Sequence, residues 1–255
     1  MAYSADGTPI AFDSHGDGPA VVLVHGAFTD RGHVTLASVA AALSPWFTVV
    51  NYDRRGRGDS GDTAPYAVDR EIEDLAALIP GSAMVFGGSS GAALALEAAA
   101  ALGPSVVTRV ALWEPPYHVD PSAPPIGDDF AERLAALEPG DAVELFMTEA
   151  AEVPAAVVSA MRADPSWAAM EKIAHTLAYE AAVVGPGNRL PVERVRRVEQ
   201  PALVLSGGAS PAWMTNAALA VTAALPHATH RVLDGQTHNV DPAALAPELL
   251  EFFTT

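Results

Sequence analysis

The chain has 255 residues, half of them apolar, which is enough for one large domain with a full hydrophobic core, or for one core carrying an insertion. Its formal net charge of −17 opposes binding to nucleic acid and to anionic membrane surfaces, because both recruit Lys and Arg to phosphate. The absence of cysteine excludes disulfides, thiolate catalysis and sulfur-ligated metals, and no apolar run approaches the roughly 20 residues that span a bilayer.

The chain opens MAYSADGTPI, without the basic start and apolar core of a secretory signal, so a soluble cytoplasmic protein is expected. Asp6-Gly7 predicts a tight turn folding a short Ala2 to Ser4 strand onto the next one. Short β-branched runs predict strands at Ile10 to Asp13, Ala20 to His25, Thr48 to Tyr52, Ala83 to Phe86 and Val106 to Trp113. Ala/Leu-rich segments between them predict helices at Val34 to Leu43, Asp69 to Ile79 and Ser90 to Leu102. This alternation is the pattern of βαβ units around a parallel sheet.

From Pro115 to Gln200 the alternation stops. This stretch holds ten of the 21 prolines, and its apolar residues recur at helical spacing: Phe130, Leu134 and Leu137, then Trp167, Met170, Ile173, Leu177 and Ala181. Asp141 with Glu144 predicts a capping box, and Asp164-Pro165 a helix start. The stretch reads as a helical insertion into the sheet domain. The alternation then resumes with a strand at Ala202 to Ser206, a helix from Pro211 to Leu225, a strand at Thr229 to Leu233 and a helix from Pro242 to Phe253. Ser210-Pro211 and Asp241-Pro242 each predict a side-chain cap followed by proline in the first turn.

Gly87-Gly88-Ser89-Ser90-Gly91 fits G-x-S-x-G around Ser89, just after a predicted strand and just before a predicted helix. Small residues on either side permit a sharp turn that thrusts the serine out, and a helix N-terminus there offers free amide donors to a developing oxyanion. The competing reading is a Gly/Ser turn that only caps the helix. Two further motifs precede it: Val22-Leu23-Val24-His25-Gly26-Ala27-Phe28 and Asp53-Arg54-Arg55-Gly56-Arg57-Gly58-Asp59-Ser60.

With these three motifs in this order, the chain resembles the α/β-hydrolase superfamily over nearly its whole length. The resemblance implies an α/β fold with a mostly parallel central sheet flanked by helices and a helical cap inserted after the sixth strand. Residues 1–114 and 201–255 would form the core and 115–200 the cap. It further implies Ser89 as nucleophile, with oxyanion donors at the backbone N–H of Ser90 and of Ala27, Phe28 being the alternative to Ala27. His25 is then a structural histidine, and Arg54, Arg55 and Arg57 brace their loop.

A serine hydroxyl needs a base to take its proton. His238 lies in the loop between the last strand and last helix, where the family carries that histidine. The family's usual acid follows the strand at Ala202 to Ser206, but Ser210 stands there and cannot carry a negative charge. Glu114, directly after the Val106 to Trp113 strand, is the substitute, as in those family members that take the acid from this strand. Asp241 and Asp234 are weaker rivals, the first being a helix cap and the second a strand-end residue.

Trp113, Tyr117, Met161, Trp167, Tyr179 and Trp213 are candidates to line an apolar substrate pocket. No metal-ligand cluster and no phosphate-binding loop occurs, so no metal and no cofactor are implied. The expectation is a serine hydrolase of a small to medium, largely apolar ester, thioester or lactone, with no nucleic-acid or membrane partner. Two alternatives stay open: a C–C hydrolase, cyclase or lyase on the same fold, and a weakly active ligand-binding relative.

Overall fold

Runs such as Ala-Val-Val-Leu-Val at Ala20–Val24 carry no polar face, so they are stable only when covered on both sides. The structure, a computed structural model, describes residues 1–255. In chain order the elements are β1 (Ala2–Tyr3), β2 (Pro9–Ile10), β3 (Phe12–His15), β4 (Ala20–Val24), α1 (Val34–Leu43), β5 (Thr48–Tyr52), α2 (Val68–Leu78), β6 (Ala83–Gly88), α3 (Ser90–Leu102) and β7 (Val107–Trp113). After them come α4 (Phe130–Ala135), α5 (Pro139–Glu149), α6 (Ala155–Arg162), α7 (Trp167–Lys172), α8 (Thr176–Val184), a 3₁₀ turn (Pro186–Asn188) and α9 (Val192–Val195). The chain closes with β8 (Ala202–Gly207), α10 (Ala212–Ala224), β9 (Ala228–Leu233) and α11 (Pro242–Thr254).

Seven strands form one sheet in the order β3-β5-β4-β6-β7-β8-β9. Only β3 runs antiparallel to its neighbour. Successive residues of each central strand feed opposite layers: Val22 and Val24 join one buried cluster, Val21 and Leu23 the other. The parallel strands therefore deliver their carboxyl ends to one edge, where loops can gather side chains from distant parts of the chain. No helix is long and apolar enough to cross a membrane.

The segment between β7 and β8 holds α4 to α9 and no strand of the sheet. Phe130, Leu134, Val143, Val158, Trp167 and Leu177 pack there into a third cluster, and Ala27 and Phe28 from the loop after β4 lean against it.

Several local expectations are corrected. The strand expected over Ile10 to Asp13 is divided, because Ala11 turns its N–H to the Ser60 hydroxyl (2.8 Å) and its carbonyl to the Asp53 N–H (2.9 Å). The Trp167 to Ala181 stripe is two helices, α7 and α8, rather than one. Ser210 caps nothing: α10 begins at Ala212 after Pro211, and the Ser210 hydroxyl is buried without a partner. Asp141 and Glu144 form no capping box, since α5 already starts at Pro139 and both carboxylates reach across to Arg162. Asp164 accepts the Ser166 N–H in the turn that leads into α7, which starts at Trp167. Asp241 does cap α11, accepting the Ala243 N–H at 2.8 Å.

Candidate active site

Ser89 sits between β6 and α3 with φ 57 and ψ −128, a conformation L residues rarely adopt. Its strain is held from both sides. The Ser89 N–H donates to the Trp113 carbonyl (2.8 Å), and a side chain on Gly91 would run into the carbonyl oxygens of Val24 and His25. Only a glycine lets the first turn of α3 press so closely on the end of β4. Gly26 serves the same purpose from the opposite loop: a Cβ there would stand 3.0 Å from the Ser89 Cβ.

The loop after β4 therefore lies directly beside the serine. Neither the Ala27 nor the Phe28 N–H donates to any protein acceptor. Ser90 is the first residue of α3, so its N–H has no intrahelical partner. Phe28 itself holds φ 60, and its ring meets Phe146 of α5 edge-on at 5.4 Å.

His238 lies in the loop between β9 and α11, and its Nδ1 is 2.7 Å from Glu114 Oε2. Glu114 is buried, with φ 42, and its Oε1 accepts the Gly207 N–H at 2.7 Å. Both carboxylate oxygens are thus committed, one to the end of β8 and one to the ring. The Trp113 indole N–H donates to the His238 carbonyl (3.0 Å), so β7 holds the histidine by its main chain as well as by its ring. The Ser89 hydroxyl and the His238 ring face one cavity and are not hydrogen-bonded to each other.

That cavity measures about 750 Å³. Ala27, Phe28, Ser89, Ser90, Trp113 and Trp213 all line it, as does His238. The other four pocket candidates lie elsewhere. Tyr117 is sealed in the core beside α3, and Met161 packs on the cluster of the inserted helices. Trp167 is buried in that same cluster, with its indole N–H on Glu171 at 3.0 Å. Tyr179 stacks on Tyr66 at 3.8 Å and gives its hydroxyl to Asp62. Helical spacing identifies a buried face but not which neighbour buries it.

All five non-glycine residues with positive φ gather here: Phe28, Ser89, Glu152 and Asn188 line the cavity, and Glu114 touches His238. Strained backbone of this kind clusters at ligand clamps and active sites.

A buried ion network with no local sequence signal joins the inserted helices to this site. Arg54 pairs through two nitrogens with Glu71 (2.6 and 2.7 Å), reaches Glu180 of α8 at 2.9 Å, and donates to the His25 carbonyl at 3.1 Å. Arg57 pairs with the same Glu180 and donates to the carbonyls of Gly26 (2.6 Å) and Thr29 (3.3 Å). Arg55 pairs with Asp74 and Asp6 away from the cavity. The arginines brace their loop as expected, but two of them also clamp the turn bearing Ala27 and Phe28. His25 bonds across the sheet to Asn51 (2.6 Å), and burial pushes its pKa down to about 4. It is a neutral structural residue at neutral pH.

Side chains gathered at the carboxyl edge of a parallel sheet occupy the place where α/β folds bind their ligands. Comparison with known proteins makes the class specific: the alpha/beta hydrolase family matches over residues 21–248, and the chain belongs to that family. An alpha/beta hydrolase from Sphaerobacter thermophilus DSM 20745 superposes with a TM-score of 0.89 at 52% identity, covering 98% of each chain. A hydrolase from Pseudomonas aeruginosa shares the fold with a TM-score of 0.73 at 24% identity, over 100% of this chain and 97% of that one. The uncharacterized hydrolase YraK of Bacillus subtilis is 38% identical over 98 residues, which is 36% of this chain and 35% of that protein.

Proposed function

We propose that the protein is a cofactor-independent serine hydrolase that cleaves a small to medium, largely apolar ester, thioester or lactone through an acyl-enzyme on Ser89. The observation that carries this reading is the 2.7 Å contact between Glu114 and His238 Nδ1, beside a cavity that Ser89 also faces. A carboxylate on Nδ1 fixes the tautomer in which Nε2 is unprotonated and free to accept the serine proton.

The steps follow from the groups in place. Nε2 of His238 takes the Ser89 proton as Oγ attacks the acyl carbonyl, and the free N–H groups of Ser90 and Ala27, or Phe28, receive the oxyanion. The imidazolium, held by Glu114, returns its proton to the leaving alcohol or thiol. Water then repeats the cycle on the acyl-enzyme. Residues 115–200 act as a cap, with Phe146 and neighbouring apolar side chains closing the cavity over the elbow. A mostly apolar lining supports a medium-sized acyl compound over a polymer.

A fluorophosphonate probe tests the central step. Labelling of the wild type that disappears in Ser89→Ala is the expected result; labelling that persists in the variant rejects Ser89 as nucleophile.

A further inference from the structure

The cavity wall bears on the substrate's polar features. Most polar groups of the lining are spent on the protein or open to water. Asn188 is neither. It is 7% exposed, and its main chain is fully used: the carbonyl accepts the His118 N–H (2.7 Å) and the N–H donates to Gly185 (3.0 Å). The residue lines the cavity, and its side-chain amide makes no hydrogen bond within the protein. A primary amide carries two donors and an acceptor, and here all of them are left for water or a ligand in the cavity.

The backbone at Asn188 adds a second observation. Its φ of 51 lies in the left-handed region, which asparagine tolerates better than most residues.

The charges of the lining limit the ligand further. No Lys or Arg side chain faces the cavity, while Glu152 and Glu180 do. Glu180 is neutralised by Arg54 and Arg57. Glu152 pairs with no cation and accepts only the Trp213 indole N–H (2.6 Å). A carboxylate-bearing ligand would find no guanidinium or ammonium in the lining to receive it.

Taking the cavity as the substrate site, as proposed above, we infer that Asn188 is a specificity-determining residue: it reads a neutral hydrogen-bonding group, such as a ketone or amide carbonyl, on an otherwise apolar acyl substrate that carries no carboxylate.

The test is a binding measurement and does not depend on turnover. In the Ser89→Ala background, quenching of tryptophan fluorescence, to which Trp113 and Trp213 in the lining respond, gives Kd for phenyl hexanoate, for its analogues with a ketone at the third, fourth or fifth carbon, and for monophenyl adipate. At least one keto ester is expected to bind about tenfold more tightly than phenyl hexanoate, the worth of one net hydrogen bond, and the adipate more weakly than either. Adding Asn188→Gly, which suits the backbone and deletes the amide, is expected to erase the keto preference. Adding Asn188→Asp, which deletes the donors at constant shape, is expected to erase it too. No preference at any carbon, a preference that survives Asn188→Gly, tight binding of the adipate, or no binding by the whole series would each overturn the inference. None of these outcomes bears on fluorophosphonate labelling of Ser89, so the two readings fail separately.

Discussion

Glu114 is the residue whose chemistry is least forgiving. Its Oε1 must accept, because its partner is the Gly207 N–H, so in Glu114→Gln the amide oxygen takes that place and the NH₂ turns to His238. A donor facing Nδ1 forces the ring proton onto Nε2, which can then no longer accept from Ser89. The expected result is a fall in kcat of about 10³ to 10⁴ on a chromogenic ester, with the thermal midpoint little changed. Near-normal kcat would move the orienting role elsewhere. Ser89 and His238 stand out in the sequence because each lies in a short segment with sharp local signals, a glycine-flanked serine after a strand and a histidine before a capped helix. Glu114 could be reached only by noticing that Ser210 cannot serve. From sequence Trp113 reads as an apolar wall, whereas its indole N–H also holds the His238 main chain, a contact 125 positions apart that no local pattern encodes.

At the level of elements, the strands were readable because a parallel sheet covered on both faces demands unbroken apolar runs. Helix starts were less so: Asp141 resembles a cap in isolation, yet Pro139 has already opened α5 and Arg162 claims the carboxylate. The coupling of α8 to the loop after β4 was invisible, since it depends on Glu180 meeting Arg54 and Arg57 from more than a hundred positions away. It has two measurable consequences. Glu180→Gln leaves two buried guanidinium groups short of a carboxylate, a loss of roughly 3 to 5 kcal/mol or on the order of 10 °C in Tm. Glu149→Gln, which breaks the half-exposed pair with Arg133, is expected to shift Tm by no more than about 2 °C. Equal shifts in the two variants would show that the buried network is no more than a surface pair. Gly26→Ala addresses the same loop from the serine's side. Its new Cβ would stand 3.0 Å from both the Ser89 Cβ and the Gly88 carbonyl, so the turn must retreat by several tenths of an ångström. Misplacing oxyanion donors on that scale is expected to lower kcat about a hundredfold with little change in Tm, and an unchanged kcat would remove this turn from the mechanism.

For the whole molecule, the buried imidazole of His25 ties stability to pH. Burial holds its folded pKa at about 4, against an ordinary value of 6.5, with the Asn51 contact working in the opposite direction. As pH falls below about 6.5 the unfolded chain takes up a proton that the folded ring refuses until near pH 4. The unfolded state therefore binds more protons across this window, and stability is full above it and drains away as pH falls through it. At about 1.4 kcal/mol for each pH unit, the loss is on the order of 3 kcal/mol. Burial of His118 and His230 depresses those rings as well and adds to the slope in the same sense. Asp6, held down to about 2 chiefly by the Thr8 hydroxyl, contributes only at lower pH and does not confuse the measurement. Urea unfolding at pH 7.5 and at pH 5 should give a lower free energy at the acidic value for the wild type. His25→Gln should narrow that difference, whatever it does to stability at pH 7.5. An undiminished slope in His25→Gln would mean that the ring beneath the Gly26 turn is already protonated in the fold, and the hydrogen bond to Asn51 would then need a different account.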